Sequence, residues 1–421
     1  MKRFSQLVGV YVLAALCGVG ALVAVAAVTA TPAVFLAAGL VTFVGMGAGL
    51  IWLVTRRWPH PTRTRRRAVL AGTTAGVALF TFTVLIPPGD PALPPEPVPG
   101  QSFVRLTTGS RIAYARRPAA PSTRGDTRGE PIIFVHGGPG VPDLAGDMAY
   151  FGQLAEDGHD VYVYAQVGSG ASSRLDDPMA YTLDRHVADL EAFRRYIHAE
   201  KVTLIGHSFG GVLAAAYVAD HPNRVVKAVY SSPGDLDPTA GGASMVSRLT
   251  VAQQMGLYAR LLRPRDLLAY TLVQVNPRAA HALTGDADMD ARFDGHYNKT
   301  RPGLRCDGRY GPELHGLGAY ANLVPQSASR PILRDRRPAF AHAGVPGLVI
   351  KGSCDYVSWS STLDYLNPHT RLVYLHGAGH NAYQERPKPF LALVRAFLAD
   401  DPLPTATYPG RQRPADFEGP A

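Results

Sequence analysis

The sequence predicts an α/β fold: a doubly wound, mostly parallel sheet with a helical lid insertion, preceded by an all-helical membrane anchor. Three observations predict it. Short apolar runs alternate with helical patterns between residues 103 and 230, and the runs resume at Gly347. A serine at position 208 stands between glycines at minus two and plus two, at the junction of an apolar strand and a small-residue helix. Three uncharged stretches, each near the length that crosses a hydrocarbon core, lie ahead of all this.

Those stretches run from Leu7 to Ala30, Ala33 to Val54 and Ala68 to Ile86. Six arginines between Arg56 and Arg67 separate the second from the third and favour the cytoplasmic side, in agreement with Lys2 and Arg3 two crossings earlier. The expected topology is therefore a multi-pass anchor over 1–86 in the cell membrane, with everything after Ile86 extracytoplasmic. A signal peptide cleaved near Ala26 and Ala27 is the alternative for the first span, and the second and third would still anchor the chain. Net charge is +9, of which residues 1–97 hold +6. The basic excess thus belongs to the anchor, and no basic and aromatic stripe in the remainder points to nucleic acid. The partner implied is the lipid bilayer, with its anionic headgroups.

Seven prolines between Pro87 and Pro99 forbid a helix and predict an extended linker over 87–100. The body, 101–400, opens with strands near 103–106 and 111–116, joined by a turn at Thr108-Gly109, and continues with strands at 132–135, 161–165, 202–205 and 225–230. Helical patterns intervene at 145–157, 183–199 and 209–220. The alternation stops over 234–342, which reads as a helical lid above the site. Late strands at 347–350 and 372–375 follow, and 401–421, rich in Pro, Arg and Gly, reads as a flexible tail.

The chemistry is carried by three motifs. Gly206-His207-Ser208-Phe209-Gly210 has the form of a nucleophile elbow, in which a strained turn holds the serine oxygen proud of the sheet and the helix start aims N–H groups at an anion. Asp355 and His380 each follow a late strand, so Ser, Asp and His stand in the chain order of a catalytic triad. His376 competes as base but lies nearer its strand end, and Asp364 competes as acid but falls within the next helix. The third motif is His136-Gly137-Gly138-Pro139-Gly140, a glycine-rich loop after a buried strand.

Together these motifs resemble the proline iminopeptidase group of α/β-hydrolases over roughly residues 100–400. The resemblance implies an oxyanion hole from the N–H groups of Gly138 and Phe209. It also implies acidic lid residues that hold a substrate's free amine, for which Glu313 and the group Asp286, Asp288, Asp290 and Asp294 are the candidates. One departure stands out: where such peptidases carry Asp-Gln-Arg-Gly-x-Gly, this chain reads Ala165-Gln166-Val167-Gly168-Ser169-Gly170.

The expected activity is an acyl-enzyme serine hydrolase, an aminopeptidase on small peptides or aminoacyl amides, with neither cofactor nor metal. An esterase or lipase on small or membrane-derived esters uses the same triad, and a non-catalytic membrane sensor or binding module is the reading of another class. Asp286-Ala-Asp-Met-Asp290 hints at a calcium loop, but Ala291 and Tyr297 replace the glycine and glutamate it requires. Dehalogenase and epoxide hydrolase chemistry wants a carboxylate at the elbow, and Ser208 excludes it. Three spans without buried charge argue against a transporter. Cys306 and Cys354 either pair, tying lid to acid loop, or remain separate thiols.

Overall fold

The short apolar runs become the eight strands of one sheet. In the computed structural model these are β1 (Ser102–Arg105), β2 (Arg111–Arg117), β3 (Gly129–Val135), β4 (His159–Tyr164), β5 (Val202–His207), β6 (Val225–Ser231), β7 (Gly347–Gly352) and β8 (Thr370–Leu375). The structure describes every residue except 1, 59–60, 87–91, 121–128, 241–243, 329–333 and 421. Strand order is β1-β2-β4-β3-β5-β6-β7-β8. The β1–β2 and β2–β4 pairs are antiparallel and all others parallel. Every residue of β5 and β7 is buried, as a sheet covered by helices on both faces demands.

The helices are α1 (Lys2–Ala26), α2 (Pro32–Thr55), α3 (Pro61–Phe80), α4 (Leu144–Phe151), α5 (Leu183–Tyr196), α6 (Phe209–Asp220), α7 (Val251–Leu261), α8 (Pro264–Val275), α9 (Pro277–Leu283), α10 (Asp286–Thr300), α11 (Ala319–Leu323), α12 (Arg337–His342), α13 (Ser360–Leu363), α14 (Ala382–Glu385) and α15 (Pro387–Leu398). Helix α15 shows how sequence makes the core. Its Phe390, Leu391, Leu393, Val394 and Phe397 recur on one face and are buried against Phe134, Phe151 and the β-strand residues Ile205 and Leu348. Phe134 and Phe151 stack at 4.2 Å between ring centroids.

The chain divides into two compact units. The first comprises Met1–Pro91, Ala259–Met289 and Ser327–Ser329; the second comprises Ala92–Tyr258, Asp290–Gln326 and Arg330–Ala421. Within the first, Arg3–Ala26, Pro32–Thr55 and Pro61–Leu85 are long and apolar enough to cross a membrane. Helices α1 and α2 approach through small residues: a Cβ on Gly18 would stand 2.9 Å from the Gly39 carbonyl oxygen. The third helical stretch begins at Pro61, ahead of four of the six arginines, because proline suits a helix start and Arg65 Nε finds Thr55 Oγ1 at 2.9 Å. In the same unit Asn276, between α8 and α9, donates from Nδ2 to the Ala26 carbonyl at the end of α1, 2.8 Å away.

One expectation needs correction in the second unit. The C-terminal stretch is not a flexible tail. Trp359 gathers Tyr408 and Phe417 at 5.3 and 5.6 Å between ring centroids, and Phe417 is buried. Backbone bonds from Glu418 N to Ser353 O (2.9 Å) and from Trp359 N to Pro420 O (3.0 Å) fasten the stretch beside the acid loop. The described part of the proline-rich linker carries no helix and packs on the second unit at two points. Residues 87–91 lie outside the described part, but Val98 is buried and Pro95 packs where a Cβ on Gly316 would stand 2.8 Å away.

Candidate active site

Steric necessity shapes the elbow. Ser208 has φ 55° and ψ −120°, a region that L-residues avoid, between the end of β5 and the start of α6. The turn closes so tightly that a Cβ on Gly206 would lie 2.2 Å from Gly210 O, and one on Gly210 would lie 1.9 Å from Val135 O. Only glycine fits at either position. Phe209, next in the chain, opens α6, so its N–H belongs to the first turn of a helix, where donors lack intrahelical acceptors.

His380 and Asp355 meet across the ends of β8 and β7. Asp355 Oδ1 lies 2.7 Å from His380 Nδ1, and both side chains are buried. That bond commits Nδ1 to the carboxylate and leaves Nε2 as the nitrogen able to act as a base. Two contacts bring the imidazole beside the elbow. The His380 ring lies 4.8 Å from that of His207, the residue before the serine, and Asn381 Oδ1 meets His207 Nε2 at 3.1 Å. Burial, aided by the neighbouring His380, lowers His207 to about 3, so His207 is a neutral structural imidazole. His376, the competing base, is exposed at the strand end and pairs with Asp416 at 3.0 Å. Asp364 closes the short helix α13 and lies 3.8 Å from Arg337.

Asp355 has a second partner that sequence reasoning missed. Lys351 Nζ lies 2.8 Å from Asp355 Oδ2, with both side chains fully buried. It donates to Val357 O at 2.9 Å, while Val357 N donates to Asp355 Oδ1 at 3.1 Å. Burial works to raise the Asp355 carboxyl, but Lys351 and His380 outweigh it and hold the group well below the usual carboxylate range. The only signal in the chain was a lysine ending an otherwise apolar strand four residues before the acid.

The glycine-rich loop reaches the serine from the other side. A Cβ on Gly137 would stand 2.9 Å from Ser208 Cβ, and Gly138 adopts φ 117°. His136 is neutral, lowered to about 4 by burial. Its Nε2 accepts from Gln166 N at 2.9 Å, and Gln166 Nε2 returns a bond to His136 O at 2.7 Å. Gln166, the residue retained from the altered motif, thus locks the start of the loop. From the lid side, Asn322 Nδ2 donates to Pro139 O and Gly318 N to Gly140 O, both at 2.7 Å.

The lid also holds the histidine and acid loops. His380 N donates to Leu304 O at 2.7 Å, and Glu385 accepts from Gly379 N (2.6 Å) and Cys306 N (3.0 Å). Cys306 and Cys354 form a disulfide, with 5.3 Å between their Cα atoms. Segment 304–306 is therefore strapped to both loops.

Four of the five acidic candidates have partners of their own. Asp290 receives Arg174 at 2.8 Å and Ala319 N at 2.8 Å; Asp294 accepts from Gly316 N and Leu317 N, each at 2.9 Å. Burial raises Asp294 to about 7 despite those bonds. Asp288 pairs with Arg265 and Asp286 with His281, both within the first unit. Glu313 is exposed.

The family model that matches, over residues 130–259, is described as the alpha/beta hydrolase fold. A proline iminopeptidase of Heyndrickxia coagulans is 40% identical over 107 residues, which span 25% of this chain and only 35% of that relative's length. A proline iminopeptidase of Lactiplantibacillus plantarum is 30% identical over 279 residues, covering 64% of this chain and 92% of the relative. The solved proline iminopeptidase of Mycobacterium smegmatis aligns with 71% of this chain and 98% of its own at 20% identity, with a TM-score of 0.46. With one relative matched at 30% identity over nearly its whole length, the chain belongs to the α/β-hydrolases, as a relative of the proline iminopeptidases.

Proposed function

We propose that this protein is a serine hydrolase that works through an acyl-enzyme on Ser208, most readily as an aminopeptidase of proline iminopeptidase type on small peptides or aminoacyl amides. The observation that carries the reading is the 2.7 Å bond between His380 and Asp355 beside a serine held at positive φ. In the proposed cycle Ser208 Oγ attacks the substrate carbonyl carbon as its proton passes to His380 Nε2. The oxyanion accepts hydrogen bonds from the N–H groups of Gly138 and Phe209. His380 then gives the proton to the leaving amine or alcohol, and water releases the acyl group by the same route in reverse. Asp355 holds the imidazole tautomer and stabilises its charged form.

The proposed place of action is outside the cell membrane, on a multi-pass anchor. Three helices apolar enough to cross, with the arginines between the second and third, support that reading.

A second reading, hydrolysis of small or membrane-derived esters, is favoured by one observation. Asp290 and Asp294 are committed to Arg174 and to backbone N–H groups, so neither offers an uncommitted carboxylate to a substrate amine. The full chain in detergent should be tested on aminoacyl arylamides, their N-acetylated forms and p-nitrophenyl esters. The aminopeptidase reading expects N-acetylation to lower kcat/KM at least about tenfold, the scale of one lost charged contact. Indifference to acetylation with fast ester turnover selects the second reading.

A further inference from the structure

We infer that helix α7 is an interfacial element that lies on the surface of an anionic bilayer through its exposed apolar face. The helix is inverted relative to an ordinary surface helix. Val251, Met255 and Tyr258 are 74%, 67% and 47% exposed, and their spacing of four and three puts them on one face. Ala252 and Gly256 extend that exposed face, which carries no charge up to Tyr258. Polar side chains instead fasten the helix from within: Gln253 Nε2 donates to Gly308 O at 3.2 Å and Gln254 Nε2 to Leu249 O at 3.0 Å, beside the buried Leu257.

The bond to Gly308 ties α7 to a loop that adds to the same surface chemistry. Tyr310, on that loop, is 52% exposed, and Lys299 Nζ lies 5.8 Å from its ring centroid. Lys299 and Arg309 are exposed. Valine and methionine beside tyrosines, with basic side chains close by, is the composition that settles at a headgroup boundary: the apolar groups enter the acyl region, the tyrosine rings bridge it and the cations meet lipid phosphate.

A bilayer is a better occupant than a second copy of the chain for two reasons. The basic neighbours would repel their own images across a twofold contact but complement anionic lipid. The same polypeptide also carries three segments of 24, 24 and 25 residues apolar enough to cross a membrane, and only Leu262 and Arg263 separate α7 from α8 in the chain. The inference rests on the reading that those segments cross a bilayer. It goes beyond that reading in making part of the lid a membrane contact in its own right.

The test uses the full chain in vesicles of phosphatidylcholine and phosphatidylglycerol that contain lipid with a nitroxide on the acyl chain. An environment-sensitive fluorophore is attached in turn to native Cys17 within α1, to Met255→Cys in a Cys17→Ser background, and to Lys388→Cys in that background as an exposed reference on α15. The expected result is blue-shifted emission and several-fold quenching at positions 17 and 255, with neither at 388. Val251→Asp should weaken quenching at 255 several-fold and leave 17 unchanged. If 17 is quenched but 255 reports water, the docking is wrong and the anchor stands. If neither is quenched, the anchor reading fails and takes the docking with it. Cross-linking of position 255 between copies without lipid quenching assigns the face to a second chain and overturns the inference.

Discussion

Lys351 and Asp355 are both fully buried, and their ion pair sits directly behind the His380 contact. A charge removed from water at that depth is tolerated only while its partner remains, and removal of one member of such a pair costs about 3–5 kcal/mol. Lys351→Met should therefore lower unfolding free energy by about that amount in denaturant titration at pH 7. It should also reduce the stability lost on acidification below about pH 4. The sign follows from the lowered Asp355 carboxyl: its stabilisation is present above the unfolded value of about 4 and is lost as pH falls toward the folded one. Without Lys351, burial is opposed by His380 alone and the folded value rises. An acid-side loss as large as that of the native protein, with stability lowered at pH 7, would reduce Lys351 to a packing role. Ser208, Asp355 and His380 were legible from the sequence because chain order and local motifs mark them. Lys351 was not, because its role depends on a burial that no short pattern encodes.

At the scale of elements, alternation of strand and helix was readable throughout the sheet, since parallel strands buried on both faces leave continuous apolar runs such as Leu348-Val349-Ile350. The C-terminal stretch escaped because its order comes from aromatic contacts with Trp359, some fifty residues earlier, and not from any local periodicity. The strap formed by 304–306 was only half visible, as two cysteines with no framework. Their bond closes a loop with a separation of 48 residues, which loop-closure entropy converts to about 4 kcal/mol. Cys354→Ser should lower stability by an amount of that order and depress kcat more than it raises KM, because Leu304 and Cys306 bond to the backbone of the histidine loop and to Glu385. Thermal melts and steady-state kinetics of the variant check both effects. Unchanged kcat with a lower melting temperature would leave the disulfide a staple without influence on the site.

At the scale of the whole molecule, one chain carries a hydrolase sheet and helices fit to cross a membrane. In the proposed topology the arginines between Arg56 and Arg67 stay on the cytoplasmic side. Alkaline phosphatase fused after residue 100 should be active in intact bacteria, and an inactive fusion would turn the hydrolase toward the cytoplasm. Sequence alone made the three helices long and apolar enough to cross readable, because that property depends on hydropathy. The fate of the acidic lid residues was not readable, since Asp290 and Asp294 find Arg174 and the 316–319 backbone only after the lid has folded. The chemistry can be tested in one step. The full chain is treated with a fluorophosphonate, beside Ser208→Ala, and the modified peptide is identified by mass spectrometry. The account predicts one adduct, on Ser208, absent with all turnover from the variant; labelling or hydrolysis that persists in Ser208→Ala would contradict it.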